Sequence, residues 1–436
     1  MTAGTEKTWF GQPRGLTILF LTNMWEQFSY FGMRALLIYY MTKELLINQQ
    51  TSSFIYGSYT AFAYFTPIIG GAIADRWLGK RKAVIIGASI MATGHFMMAF
   101  EPMLYIALAT IALGNGLFLP TLPSQINDLY GPGDPRRPWA YNVYYVGINI
   151  GGFLAPLVCG TLGEVYGWHW GFGAAGVGMF IGLVIYLVGG KYLPEEKSRF
   201  SSAADTRRTG GAKPYLFLLG IGLAVTVFRG AYEQVGNTVA LWADTGVDRI
   251  VGGLTVPMTW FQSLNPMLVI LMTPLLLAHW QRRAADGKEH EPIVKMAIGA
   301  LIVASAYVVL AAASLISGDA PANALWLVAF FAIFTLGELY ILPNGLGLFA
   351  RLAPPRFGAT TVAAWYLTIF SGSLAAGLVG TLWSVFDRPV FFMILAAIAT
   401  ASAVILYMLS PTAARVIAEH DESLQPPVLP IDRLSN

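Results

Sequence analysis

NMWEQFSYFGMRALL, residues 23–37, places a carboxylate (Glu26) and a guanidinium (Arg34) in the middle of an apolar run spanning approximately 15–42. A run of that length is long enough to cross a bilayer. An ionised side chain at such depth costs several kcal/mol unless it is paired or faces water, and such residues usually mark a substrate or ion pathway. Three more charges, Arg229, Glu233 and Glu338, sit equally deep in later runs. A structural ion-pair network would also bury charges, but three acids and two bases leave one acid over. The five are therefore read as functional.

Working outward, the rest of the chain has the composition of an integral membrane protein. Of 436 residues 56% are hydrophobic and 12% charged, about half the charged fraction of a soluble domain. Twelve apolar runs are expected to span: approximately 15–42, 52–74, 83–100, 103–127, 139–163, 170–192, 215–242, 255–279, 293–317, 323–349, 359–384 and 389–410. The first is too long for a signal peptide and lacks a small-residue cleavage site. If both ends are cytoplasmic, Lys43, Arg249 and Arg388 lie outside, Arg34 and Arg229 lie within the membrane, and the other 22 of the 27 Lys and Arg face the cytoplasm. That asymmetry is the positive-inside rule. The fold class expected is all-α, with twelve transmembrane helices and cytoplasmic N- and C-termini.

Residues 194–213 (PEEKSRFSSAADTRRTGGAK) form the longest polar stretch between runs and read as a flexible cytoplasmic linker. The expected organisation is a six-helix bundle over 1–193, a linker over 194–213, a second six-helix bundle over 214–410 and a cytoplasmic tail over 411–436. After the second run comes GGAIADRWLGKRK, with Gly71, Asp75, Arg76, Gly79, Lys80 and Arg81. It resembles the loop motif G-x-x-x-D-R-x-G-R-R of the major facilitator superfamily. The acidic residue of such a loop can lie against a helix N-terminus while its basic residues meet carbonyl ends or carboxylates, locking one conformation.

Further stretches narrow the resemblance. The first helix (NMWEQFSYFGMRALL) and the fifth (YNVYYVGINIGGF, 141–153) resemble the proton-dependent oligopeptide transporter family, also called the peptide transporter family. Its first helix carries E-x-x-E-R-F-x-Y-Y-G followed by M-R, and its fifth an aromatic run ending in I-N-x-G. The likeness continues through GNGLFLPTLPS (114–124), YEQVGNTVALWAD (232–244), FQSLNPMLVILMTPLL (261–276), LGELYILPNGLGLFARLAP (336–354) and AAWYLT (363–368).

At about 100° per residue, Asn23, Glu26, Gln27, Tyr30 and Arg34 fall within an arc of about 100°, so one face of the first helix is polar. Arg229 and Glu233 are four apart on a helix and can pair. Tyr141, Tyr144, Tyr145 and Asn149 are expected to share a face of the fifth helix. Three such faces imply a water-accessible cavity between the halves. A small zwitterion suits these groups: Arg34 offers a planar fork for a carboxylate, and Glu338 can receive an ammonium. The resemblance implies those roles for Arg34 and Glu338 in binding di- and tripeptides. It adds Tyr30, Tyr64, Asn149 and Asn265 as polar contacts and Trp365 as the wall of a side-chain pocket.

The departures from the family pattern are specific. E-x-x-E-R is Asn23-Met24-Trp25-Glu26-Gln27 here, and the fourth-helix lysine is Leu119. The family's second first-helix tyrosine is Phe31, and Arg229 stands where the family usually has an aromatic residue. Proton coupling is therefore expected to have moved to the seventh helix: Glu233 is held by Arg34 and Arg229, and its protonation frees Arg34 for the substrate carboxylate. Glu26 is the second candidate proton site. If Arg229 and Glu233 instead form a permanent pair, transport is uncoupled. Two rival functions remain open on the sequence: transport of a different small solute, such as nitrate or a drug, and peptide sensing.

His95 reads as a satisfied packing residue within the third run. Cys159 is the only cysteine, which rules out an intramolecular disulfide and a multi-cysteine metal site. No phosphate loop, nucleophile–base pair or metal-ligand spacing is present, so an enzyme, a cofactor, a metal and a nucleic-acid partner are not expected. The expected partners are peptide, protons and the lipid of a bacterial inner membrane, with the protein acting as a monomer.

Overall fold

The computed structural model describes residues 8–9, 11–131, 134–194, 213–352 and 358–424. Long helices account for most of them: α1 (Arg14–Tyr39), α2 (Gln49–Ile73), α3 (Lys80–Met97), α4 (Leu104–Phe118), α5 (Arg137–Ala155) and α6 (Trp168–Gly189). They are followed by α7 (Lys213–Tyr232), α8 (Leu264–Ala285), α9 (Pro292–Ser317), α10 (Leu325–Arg351), α11 (Gly358–Gly380) and α12 (Arg388–Leu424). Among the described residues nine helical stretches, those built on α4 to α12, are long and apolar enough to cross a membrane. The helices α1 to α3 are comparably long but more polar; α1 buries Asn23, Glu26 and Gln27 inside the protein.

The packing has an internal repeat. Among the first six helices α1 packs on α5 and α6, α3 on α4 and α6, and α2 on α4. Among the last six α7 packs on α11 and α12, α9 on α10 and α12, and α8 on α10. Adding six to each number converts one set into the other. The two sets meet through α2 against α11 and α5 against α8, contacts that the same operation exchanges. This is the arrangement of two structurally equivalent bundles around a shared seam.

Close approach along that seam needs small residues. A Cβ placed on Gly57 of α2 would lie 2.4 Å from the Cα of Gly377 on α11, so neither helix can carry a side chain at that crossing without moving apart. Gly79 does a different job. Its φ of 80° lies in the left-handed region that glycine adopts without strain, and it turns the chain between the end of α2 and the start of α3.

Several helices run on past a break. Beyond Tyr232, α7 passes through a 3₁₀ turn, Glu233–Gly236, into a short helix, Thr238–Thr245. Beyond Ala155, α5 continues through wide π turns, Pro156–Gly160 and Leu162–Tyr166. A 3₁₀ segment, Met258–Ser263, leads into α8. The last helix continues through Pro411 to Leu424, past the point where the sequence reading begins a polar tail at 411. Most of the expected linker, and residues 425–436, lie outside the described residues. Among the described residues there are also three two-residue strand pairs, the second of them joining Val247–Asp248 to Ala322–Asn323.

Replacing Gly57 with valine should overpack the α2–α11 crossing and destabilise the protein by about 1–3 kcal/mol. A thermal melt of the purified variant should show a lowered midpoint; an unchanged midpoint would contradict this contact.

Candidate functional site

The buried charges converge on the seam. Glu233 ends the regular part of α7 and is 3% exposed. Arg34 of α1 reaches it from the first bundle, 199 residues away in sequence, and Arg229 reaches it from one turn earlier on α7. One carboxylate thus accepts from two guanidiniums. Arg34 also donates from Nε to the Tyr56 hydroxyl at 2.6 Å and lies over the Tyr56 and Tyr30 rings, 5.3 and 6.0 Å from their centroids. Arg229 lies over Tyr64 and Tyr232 at 5.7 and 5.3 Å. Aromatic faces replace part of the lost hydration of a buried cation.

Glu338, on α10, takes part in no ion pair among the described residues. Instead it accepts from the Tyr232 hydroxyl at 2.7 Å and from Asn265 Nδ2 at 2.6 Å, and Asn265 also donates to Thr335 at 3.0 Å. These neutral donors hold the carboxylate in place without a direct ion pair, an arrangement that can receive a cation. A chain of contacts therefore runs Arg34, Glu233, Arg229, Tyr232, Glu338, with an anion-seeking group at one end and a cation-seeking group at the other.

The remaining expected residues divide. Tyr30 faces Arg34 and Tyr59, and its buried hydroxyl has no hydrogen-bond partner among the described residues. Tyr64 stacks on Tyr366 of α11 with ring centroids 6.5 Å apart, beside the seam. Trp365 packs edge-on against Phe349 at 5.2 Å inside the second bundle. Asn149 donates to the Tyr145 carbonyl of its own helix at 3.0 Å, so its side chain is not joined to the cluster. On the fifth helix Tyr144 is buried within the first bundle, while Tyr141 and Tyr145 are exposed. Glu26 is buried and accepts from Gln27 Nε2 at 2.6 Å; Asn23 donates to the Tyr144 carbonyl at 3.2 Å. Leu119 caps the end of α4, half-buried.

The loop motif lies apart from the cluster. Lys80 donates to Asp128 at 2.6 Å and to the Ser124 carbonyl at 3.3 Å, tying the start of α3 to the segment after α4. A Cβ on Gly71 would touch Pro120, Asp75 and Arg76 are exposed, and Arg81 lies against Gly190. His95 is fully buried, yet neither ring nitrogen has a hydrogen-bond partner among the described residues. It packs, but it is not the satisfied histidine expected. No group of three His, Cys, Asp or Glu among the described residues could hold a metal.

Sequence reasoning passed over the seal between the bundles. Lys43 lies 2.6 Å from Asp244, and the Glu164 carboxylate accepts from the amides of Met258 and Thr259 at 2.9 Å each and from the Thr259 hydroxyl at 2.6 Å. It thereby caps the N-terminus of the 3₁₀ segment leading into α8. Tyr39 donates to the Ala240 carbonyl at 2.7 Å, Ser53 to Asn237 at 2.8 Å and Gln49 to the Gly380 carbonyl at 2.9 Å. These bonds all gather toward the end that carries Lys43 and Asp244. A separate open groove of about 560 Å³, lined by residues such as Trp25, Phe28, Leu154 and Ile181, lies on the first bundle; its lining lacks the convergent polar groups of a solute site.

A chain with many membrane-length helices, two equivalent bundles and paired charges buried on their seam has the construction of a membrane transporter, and the comparisons agree. The sequence profile of the POT family matches residues 81–210 and 200–398. The chain is 31% identical to an uncharacterized transporter, YclF, of Bacillus subtilis, over 94% of this chain and 96% of that protein. It is also 31% identical to the peptide transporter YePEPT of Yersinia enterocolitica, over 86% of this chain and 88% of that one. The crystal structure of a peptide transporter, POT, in complex with sulfate superposes with a TM-score of 0.86 at 29% identity, covering 94% of this chain and 97% of that chain. The chain belongs to the POT family and is a multi-pass membrane transporter protein.

Removing the shared carboxylate should be severe. Glu233→Ala would leave two buried guanidiniums without a counter-charge and should destabilise the protein by about 3–5 kcal/mol, read as a lowered midpoint in thermal unfolding. A midpoint equal to that of the parent would mean the guanidiniums are hydrated instead.

Proposed function

We propose that this protein imports di- and tripeptides across a bacterial inner membrane by proton symport, through alternating access of two six-helix bundles. In this reading twelve helices span, both termini are cytoplasmic, and residues 194–213 link the bundles. The end carrying Lys43, Asp244 and Arg249 is then the outer end, and the inter-bundle bonds gathered there describe an inward-facing state.

The observation that carries the reading is the contact chain from Arg34 to Glu338 through Glu233. A peptide is a zwitterion with charges at fixed ends, and Arg34 and Glu338 stand on opposite bundles as complementary anchors. While Glu233 is ionised it holds Arg34. A proton on Glu233 cancels that attraction, frees Arg34 for the substrate carboxylate, and removes an ion pair that joins the bundles. Glu338 receives the ammonium in the frame set by Tyr232 and Asn265. Tyr30, Tyr64 and Asn149 supply further polar contacts, and Trp365 walls the side-chain pocket. Glu26, with a neutral partner and no cation paired to it, is the second proton site. The relatives named for peptide transport support the substrate class.

A second reading has one observation in its favour. Because Arg229 already pairs with Glu233, Arg34 can leave without stranding an ionised carboxylate, and transport would then be facilitated diffusion of peptide.

Uptake of labelled dialanine into liposomes containing the purified protein separates the two. With an inward proton gradient, symport gives accumulation above equilibrium that disappears when an ionophore collapses the gradient; the facilitator reading gives equilibration only. Under symport, Glu233→Gln should abolish accumulation while sparing peptide exchange. Undiminished accumulation by that variant would remove Glu233 from the coupling mechanism.

A further inference from the structure

We infer that Arg229 makes the site selective for peptides bearing a second carboxylate, that is, di- and tripeptides with an aspartyl or glutamyl side chain. The inference rests on the peptide reading above and narrows its substrate class.

Arg229 is 4% exposed and stands between the two proposed anchors. Its NH2 donates to Glu233, but its Nε is buried with no hydrogen-bond partner among the described residues. It is also built into the packing. A Cβ on Gly372 of α11 would lie 2.6 Å from the Arg229 Cβ and 3.2 Å from its Cδ, so glycine at 372 makes room for the arginine stem. The planar group is positioned between Tyr64 and Tyr232, and Tyr232 in turn holds Glu338. Because Arg34 lies on one side and Glu338 on the other, this position faces the middle of a bound peptide, where its side chain would project.

Charge accounting gives the chemistry. Arg34, Arg229, Glu233 and Glu338 sum to zero. A zwitterionic peptide adds nothing, with its carboxylate on Arg34 and its ammonium on Glu338. When Glu233 then takes a proton, Arg229 becomes a buried cation with no counter-charge, an arrangement that a low-dielectric interior strongly disfavours. An acidic side chain supplies the missing charge, and the guanidinium fork with its unused Nε is suited to a carboxylate. An acidic peptide plus one proton therefore closes the site electrically neutral, whereas a neutral peptide plus one proton does not.

The test is direct binding to the purified full-length protein of two dipeptides of nearly equal shape, Ala-Glu and Ala-Gln, by calorimetry. The parent should bind Ala-Glu about tenfold more tightly or better, a preference worth one decade in Kd. Arg229→Phe should bring the ratio close to one, and Arg229→Lys should keep part of the preference. The ratio compares two ligands on one sample, so a loss of folded protein does not imitate the effect. Equal affinities in the parent, or a preference that survives Arg229→Phe, would overturn the selectivity and leave peptide transport standing. If neither dipeptide binds and labelled dialanine shows no saturable uptake, the peptide reading falls, and the selectivity with it.

Discussion

A single carboxylate, Glu233, holds two guanidiniums from two different bundles, and much of the structure is arranged around keeping that group buried. Each ion alone would cost several kcal/mol to remove from water, and their attraction offsets the cost only with good geometry and further partners. The further partners are aromatic. Tyr30 and Tyr56 flank Arg34, while Tyr64 and Tyr232 flank Arg229. The backbone adapts too. Regular helix stops at Tyr232 and the chain narrows to a 3₁₀ turn through Gly236. There Gln234 and Thr238 satisfy each other and nearby carbonyls. A helix broken beside a buried charge at a bundle seam is a recurrent device of secondary transporters.

The bonds across the seam are not of equal weight. Lys43 and Asp244 form an attractive-looking pair, but the Lys43 side chain is 44% exposed, and exposed pairs contribute about 0–1 kcal/mol. Glu164 does more, because its oxygens satisfy two backbone amides and a hydroxyl that would otherwise be left without partners at the start of the segment Met258–Ser263. The Arg34–Glu233 pair is buried, and removing the carboxylate that it shares with Arg229 would leave two buried guanidiniums uncompensated, at a cost of about 3–5 kcal/mol. On these magnitudes the buried cluster weighs more at this seam than the charges near the surface. On the proposed reading the substrate site coincides with that cluster.

The sequence made some of this legible and hid the rest for identifiable reasons. Membrane class follows from hydropathy, since the run lengths answer directly to bilayer thickness. The pairing of Arg229 with Glu233 follows from a spacing of four on a helix. The Arg34–Glu233 contact has no local signature and was reached through the resemblance together with the need to neutralise buried charge. Tyr56, Tyr232 and Thr335 were missed, because a tyrosine or threonine in an apolar run looks like packing; only the tertiary arrangement aims them at Arg34, Glu338 and Asn265. Tyr56 and Tyr64 do fall two helical turns apart, a stripe that could have been read as one face. Glu164 was passed over because it lies near a span end, where a carboxylate draws no attention. On the fifth helix the consecutive tyrosines at 144 and 145 point about 100° apart, and the bundle buries only the first.

The altered first helix bears on how a proton can do work here. A proton shifts a conformational equilibrium only if its site has different interactions in the two states. Glu26 is paired with Gln27, its own neighbour in α1, and Asn23 bonds within the same bundle; rigid movement of one bundle against the other leaves both contacts unchanged. Glu233 is bonded to Arg34 across the seam, and that contact cannot survive separation of the bundles at this level. The chain therefore lacks charge at Asn23, Gln27 and Leu119, all within the first bundle, and carries an added one, Arg229, at the carboxylate that joins the two. On the proposed reading, such a chain need not be uncoupled: its titratable group stands where protonation changes the energy of the motion itself.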